Sequence, residues 1–270
     1  MTRTASFPTP APLDLRVRNA AGTIEVTAAD TDTSTVEIEP IDDSAEAREL
    51  VERGRIDLSS RADKLVVEVP ERRGLFSFRQ PRVAVRVTVP TGSRVVTGAA
   101  SADVHCFGRL GMVTAHTASG DIGIGDVDGP VEVHLQSGRL RVGSAAAITV
   151  RTASGAVDVG RASGEVQVRA ASGTVHIGVA ESSVRVQSAS GRVAIDEARR
   201  GRVALTAASG DLRVGVPAGV VAHLDLSSIS GRVRSELPVE DVAPEEGAPL
   251  DIQARTASGD LLVTSAGPTD

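Results

Sequence analysis

The chain has 270 residues and 41% apolar content, enough to bury a substantial core, yet it holds no Trp, no Tyr and only four Phe, so that core is aliphatic. A net charge of −6 is mild, Lys64 is the sole lysine, and neither a polybasic tail nor an acidic tract is present, which argues against a nucleic-acid partner. One cysteine, Cys106, excludes an intramolecular disulfide, and no stretch of about 20 apolar residues offers an integral membrane segment.

In chain order, the first residues, Met1-Thr2-Arg3-Thr4-Ala5-Ser6-Phe7-Pro8, contain no apolar run of signal-peptide length. A cytoplasmic location is therefore expected, with envelope association as the alternative. Leu15, Val17, Gly22, Ile24 and Val26 then alternate with polar neighbours as half-buried strands do. Residues Asp43 to Arg53 read as one short helix with an Asp or Ser cap. The run Arg72-Arg73-Gly74-Leu75-Phe76-Ser77-Phe78-Arg79 sets two Phe between arginines in an expected loop. Arg73, Leu75, Phe76 and Phe78 are the candidate partner-binding residues, able to insert into a partner or a membrane surface. Alternatively, Phe76 and Phe78 close one end of the core, as all four Phe are expected to pack the N-terminal region or cap the stack. Val83, Val85, Val87 and Val89 alternate up to Pro90 as a strand.

From residue 101 onward the sequence is dominated by one phrase, Thr-Ala-Ser-Gly-x-apolar-x-apolar. Its glycines are Gly120, Gly138, Gly155, Gly173, Gly191, Gly210, Gly231 and Gly259, spaced 18, 17, 18, 18, 19, 21 and 28 residues apart. Aligned on these glycines, the repeats form columns. Seven residues before each Gly stand Val113, Val131, Ile148, Val166, Val184, Val203, Leu224 and Ile252. Five before stand Ala115, Val133, Val150, Val168, Val186, Leu205, Leu226 and Ala254. Two after stand Ile122, Leu140, Val157, Val175, Val193, Leu212, Val233 and Leu261, and four after the column is again apolar except at Ser235. The residues between are mostly polar, so each unit is two short strands, each with one buried face, joined at a Ser-Gly corner.

An unvarying corner favours an all-β, parallel β-solenoid (β-helix) of about 18-residue, two-strand coils, in which identical positions stack at about 4.8 Å. An antiparallel meander folded into a sandwich is the open alternative. Residues 1–100 are expected to form an irregular β-rich cap with the one short helix, continuous with the solenoid, and residues 101–265 the solenoid repeats. No repeat buries enough surface to fold alone, so stability must come from stacking. Residues 236–249, which carry Glu240, Asp241, Glu245 and Glu246 with three prolines, read as an exposed loop.

The chemistry-bearing residues point away from catalysis. Ser precedes Gly at every corner, whereas a nucleophile needs one serine with its own base; a corner hydroxyl that bonds neighbouring backbone is useful in every coil. His116 and His134 share a column and should stack, but no further ligand continues that column, so no metal site is expected. Acids do not form a ladder after Ser-Gly, which argues against Ca²⁺. Cys106 falls in an inward column as a small core residue. Arginines 139, 141, 151, 169, 185, 192, 213, 232 and 234 alternate with acids and lack aromatic partners for base stacking.

The motif Thr-x-Ser-Gly-Asp-Ile-x-Ile-Gly, seen best at Thr117 to Gly125, with the lead-in from Val83 to Pro90, resembles a bacterial family of unknown function with β-strand repeats that carries the label "putative adhesin". The similarity runs from about Leu13 to Val263, and the Arg-rich, Lys-poor composition is similar to actinobacterial members. What the resemblance implies is a β-solenoid without an assigned catalytic residue. The expected function is a non-enzymatic binding or scaffold protein that presents its repeat faces or an end to a protein partner, or self-assembles. No catalytic residue and no cofactor are expected. A carbohydrate-active β-helix enzyme and a regulatory anion or nucleic-acid binder are the alternatives.

Overall fold

The structure, a computed structural model, describes residues 2–71, 80–237 and 250–266. The chain divides into two compact units, Met1–Gly138 and Arg139–Asp270. Both are built of β-strands, and the one helix among the described residues lies in the first unit.

Unit one contains β1 (Arg3–Pro8), β2 (Asp14–Arg18), β3 (Ala21–Ala29), β4 (Thr33–Pro40), α1 (Ala45–Arg53), β5 (Arg55–Leu58), β6 (Lys64–Glu68), β7 (Val83–Pro90), β8 (Arg94–Ala99), β9 (Ser101–Phe107) and β10 (Met112–Ser119). It also holds the part of β11 (Ile122–Ala162) that ends at Gly138. Two parallel ladders result. The first runs β6, β2, β8, β10, then residues 131–137 of β11. The second runs β7, β3, β9, then residues 122–124 of β11. Val17, Val67, Val95, Val113, Ile24, Val85 and Val104 are fully buried between the ladders, as the period-two alternation of β-branched residues dictates.

Both ladders of this unit are covered at their outer edge. β5 pairs antiparallel with β6, and β4 pairs antiparallel with β7 and carries β1 on its far side. Such pairing removes a row of open backbone donors and acceptors. Helix α1 packs on β4 and β7 through buried Ala47, Leu50 and Val51. Ser44 caps it, its Oγ accepting from the Ala47 N–H at 3.1 Å.

Unit two continues β11 from Arg139 and adds β12 (Val166–Ala180), β13 (Val184–Ser190), β14 (Val193–Ala198), β15 (Gly201–Ser209), β16 (Leu212–Pro217), β17 (Ala222–Ser230), β18 (Val233–Ser235), β19 (Leu250–Ser258) and β20 (Leu261–Ala266). Its first ladder joins residues 148–154 of β11 to β12, β13, β15, β19 and β17, all parallel. Its second joins residues 155–162 of β11 to β12, β14, β16, β20 and β18. The register sets column on column: Val150 faces Val168, Val168 faces Val186, and Val186 faces Leu205. All four are buried.

Stacking order departs from sequence order once in each unit. In unit one β2 and β3 lie between the later pair β6 and β7 and the pair β8 and β9. In unit two β19 and β20 lie between β15 and β16 on one side and β17 and β18 on the other. The uneven spacings of Gly210, Gly231 and Gly259 mark this: the third glycine stacks on the first, and the second on the third. Every strand pair presents the same aliphatic columns, so packing alone does not dictate which pair follows which; the connections do. Among the described residues β17 and β18 pair on one edge only, and Val221, Ile229 and Val233 there are 58%, 86% and 47% exposed.

Candidate functional site

The corners explain why Ser-Gly recurs. Gly191 has φ of +127°, and a Cβ there would lie 1.7 Å from the carbonyl oxygen of Gly173 on the neighbouring strand pair. A side chain is thus excluded both by the backbone conformation and by the close approach. The serine hydroxyls donate to carbonyls of the neighbouring pair, Ser119 to Ala100 and Ser172 to Ala153, each at 3.4 Å. Three residues before the glycine, the Thr117 and Thr256 hydroxyls donate to the Ser119 and Ser258 carbonyls at 2.9 and 3.1 Å. These hydroxyls are engaged by backbone, which is the work of a turn.

Where this corner chemistry lapses in unit one, a concavity opens. A cleft of about 620 Å³ crosses the ends of four stacked strands and is lined by Arg18, Asn19 and Ala20 after β2, Glu68 to Glu71 after β6, Gly98 to Ala100 at β8, and His116 on β10. A smaller hollow of about 100 Å³ adjoins it through Asn19, Ala20 and Val69 to Glu71, and reaches Leu50, Gln80 and Pro81. Asn19, three residues before Gly22 in the column that holds Thr117 and Thr256 in the repeats, is buried and supports the wall. Its Nδ2 donates to the carbonyls of Thr23 and Val83 at 3.2 and 2.8 Å. Gly98 forms part of the floor, and a Cβ added there would meet only Arg18 Cγ, at 3.6 Å. The cleft thus mixes a guanidinium, carboxylates and an imidazole with short apolar stretches.

The histidine expectations resolve in different ways. His116 and His134 face each other across β10 and β11 with ring centroids 4.9 Å apart, and His134 Nε2 lies 3.1 Å from Glu132 Oε1. Partial burial and the neighbouring His134 ring hold His116 below the usual imidazole range. His176 in unit two sits between two carboxylates, with Nδ1 2.9 Å from Asp158 Oδ1 and Nε2 2.7 Å from Asp196 Oδ2. Both nitrogens can donate only in the imidazolium form. Partial burial works against that charge, but the two carboxylates outweigh it and raise the pKa. Asp158 and His176 share a sequence column, so this contact was legible in part; Asp196, two positions further along its strand, was not.

Cys106 is buried, and loss of solvation pushes its thiol up to about 12, far from reactivity. Phe107, expected to pack the N-terminal region, is instead 49% exposed on an outward position of β9, its ring stacked 6.2 Å from that of His105. Among the described residues no group of three or more His, Cys, Asp or Glu is placed to hold a metal ion, and no helix is long and apolar enough to cross a membrane. Arg73, Leu75, Phe76 and Phe78 lie outside the described residues. Their segment is joined to Glu71 and Gln80, which line the hollow beside the cleft. The cleft itself was not foreseen, because its walls come from strand ends far apart in sequence.

The chain is similar to known proteins over nearly its whole length. The profile of the Toastrack DUF4097 family matches residues 13–267. A "putative adhesin" from Parabacteroides distasonis ATCC 8503 superposes with a TM-score of 0.51 at 13% identity, over 98% of this chain and 97% of that one. A "putative adhesin" from Bacteroides fragilis NCTC 9343 gives a TM-score of 0.41 at 11% identity over 98% and 97% of the two chains. A "putative cell adhesion protein" from Clostridium sporogenes ATCC 15579 gives 0.27 at 9% identity over 98% and 100%. No curated protein matches the chain. At 13% identity the first of these likenesses speaks for the fold alone, but the profile spans nearly the whole sequence, and the chain belongs to the Toastrack DUF4097 family.

Proposed function

We propose that this protein is a non-enzymatic binding protein built as a parallel β-solenoid, and that it docks a protein partner at the cleft of unit one. The observation that carries the reading is the cleft's position. It opens beside the corners where Ser-Gly is replaced by Ala21-Gly22 and by Ser101-Ala102, and where the chain departs at Glu71. A family of structural neighbours described as adhesins or cell adhesion proteins supports binding rather than turnover. The Phe segment from Arg72 to Arg79 is tethered at the same place, and Arg73, Leu75, Phe76 and Phe78 supply the aromatic and Arg anchors that protein interfaces favour. Residues 1–100 serve as the cap of the solenoid in this reading, and residues 101–265 as its repeats.

The test is affinity purification from the native host, with cytoplasmic and envelope fractions kept apart, comparing the parent chain, a chain lacking residues 72–79, and Gly98→Leu. Gly98 has room for a side chain, so the substitution fills the cleft with little strain. A partner held by the parent and lost with both variants is the expected result. A partner retained by both places docking elsewhere. Recovery of the protein with only itself, in large assemblies, favours a second reading, self-association through the open edge of β17 and β18, where Ile229 and Val221 are exposed.

A further inference from the structure

In the first ladder of unit two, outward positions carry an uncompensated row of arginines. Arg151 stands directly opposite Arg169 across β11 and β12, and Arg169 is diagonal to Arg185 across β12 and β13, where Gln167 faces Arg185 and Arg169 faces Gln187. Val150, Val168 and Val186 alternate with them into the core, so the three guanidinium groups share one exposed face. Adjacent strands are about 4.8 Å apart, and like charges directly opposite at that spacing oppose the pairing.

Elsewhere in this unit several exposed arginines are matched. Arg161 and Arg199 hold Glu181 and Glu197, Arg202 holds Asp251, Arg232 holds Asp260 and Arg255 holds Asp225. Among the described residues Arg151, Arg169 and Arg185 have no such carboxylate. Glu165, at the rim of the row, is engaged by Gln167 Nε2 at 2.9 Å. The remaining outward residues over these strands, Thr149, Gln167 and Gln187, are neutral hydrogen-bonding groups.

We propose that this face binds an acidic polysaccharide, its carboxylates pairing with Arg151, Arg169 and Arg185 and its hydroxyls bonding Thr149, Gln167 and Gln187. Guanidinium groups take carboxylates as paired donors. The face has no aromatic ring to stack on nucleobases and no large apolar anchor to enter a membrane or a peptide groove. A polar sheet face with donors repeating from strand to strand suits an extended polymer of hydroxyls and carboxylates. This inference does not rest on the cleft of unit one.

The experiment is calorimetric titration of the full chain with polygalacturonate at several salt concentrations, with inorganic polyphosphate as comparison. Binding that weakens with salt is expected, and Arg151→Gln/Arg169→Gln/Arg185→Gln should lower the affinity for polygalacturonate by about tenfold or more and flatten the salt dependence. A control triple, Arg141→Gln/Arg213→Gln/Arg234→Gln, removes equal charge from outside the first ladder and should change affinity by no more than about twofold. Gln167→Ala/Gln187→Ala should weaken polygalacturonate and spare polyphosphate. Thermal melts check that all variants fold, and removal of opposed like charges should leave the midpoint unchanged or higher. No binding of polygalacturonate, equal losses from both arginine triples, or equal effects of the glutamine pair on both polymers would each overturn the proposal.

Discussion

At the residue scale the corner glycine is the most constrained position of the repeat. Gly191 combines a φ of +127° with a carbonyl oxygen 1.7 Å from where a Cβ would sit, whereas Gly219, with φ of +80°, has nothing within 4 Å. Gly191→Ala should therefore cost about 3 kcal/mol or more, because strain and a backbone collision add. Gly219→Ala should cost about 1–2 kcal/mol, from conformation alone. Urea unfolding midpoints at equal slope make the comparison; similar costs for the two would show that the stacked corner yields easily. The sequence displays the glycine column in full. It does not display the carbonyl on the neighbouring strand pair that forbids any other residue, since that oxygen lies 18 positions away in the chain.

At the element scale, contacts across strand pairs carry the pH behaviour of unit two. His176 on β12 ties Asp158 of β11 to Asp196 of β14. A histidine whose pKa rises on folding stabilises the fold fully below its unfolded value near 6.5, and that contribution is lost as pH rises through the higher folded value. The parent chain should therefore lose stability relative to His176→Gln as pH rises from about 6.5 through the higher folded value. Melting midpoints of both proteins across that range, together with imidazole shifts followed by NMR, test this; parallel pH curves for the two would remove His176 from the account. The groups facing the ring are the two aspartates and, opposite it on β14, Ala194. Arg213 lies beyond Ala194 on β16, in register with it. The side chain remains 45% exposed, so the effect is modest and salt-dependent.

At the scale of the whole molecule, the order of strand pairs is the property that separates sequence from structure. Because β19 and β20 sit between β15–β16 and β17–β18, excision of residues 219–248 should remove only the outermost pair of unit two and leave residues 250–266 stacked where they are. Truncation after Leu237 should instead strip β17 and β18 of their pairing partners and expose residues 218–237 to protease. Limited proteolysis with mass spectrometry distinguishes the two. Equal protease resistance of residues 201–217 and 222–235 in the truncated chain would contradict the pairing.

The sequence by itself determined which side chains point inward, where the corners fall, and that one short helix follows residue 43, because period-two alternation, positive-φ glycines and a serine cap act within a few residues of themselves. It also established the family, through Thr117 to Gly125 and the columns on either side. Only the tertiary structure decided the interleaving of β2–β3 and β19–β20, the antiparallel cover supplied by β1, β4 and β5, the cleft walled by Asn19, Glu68, Gly98 and His116, and the unmatched row of Arg151, Arg169 and Arg185. Each repeat offers its neighbours the same aliphatic columns, so local sequence is degenerate about which repeat lies on which. Long-range closure and edge coverage break that degeneracy, and the surfaces available for binding follow from how they do so.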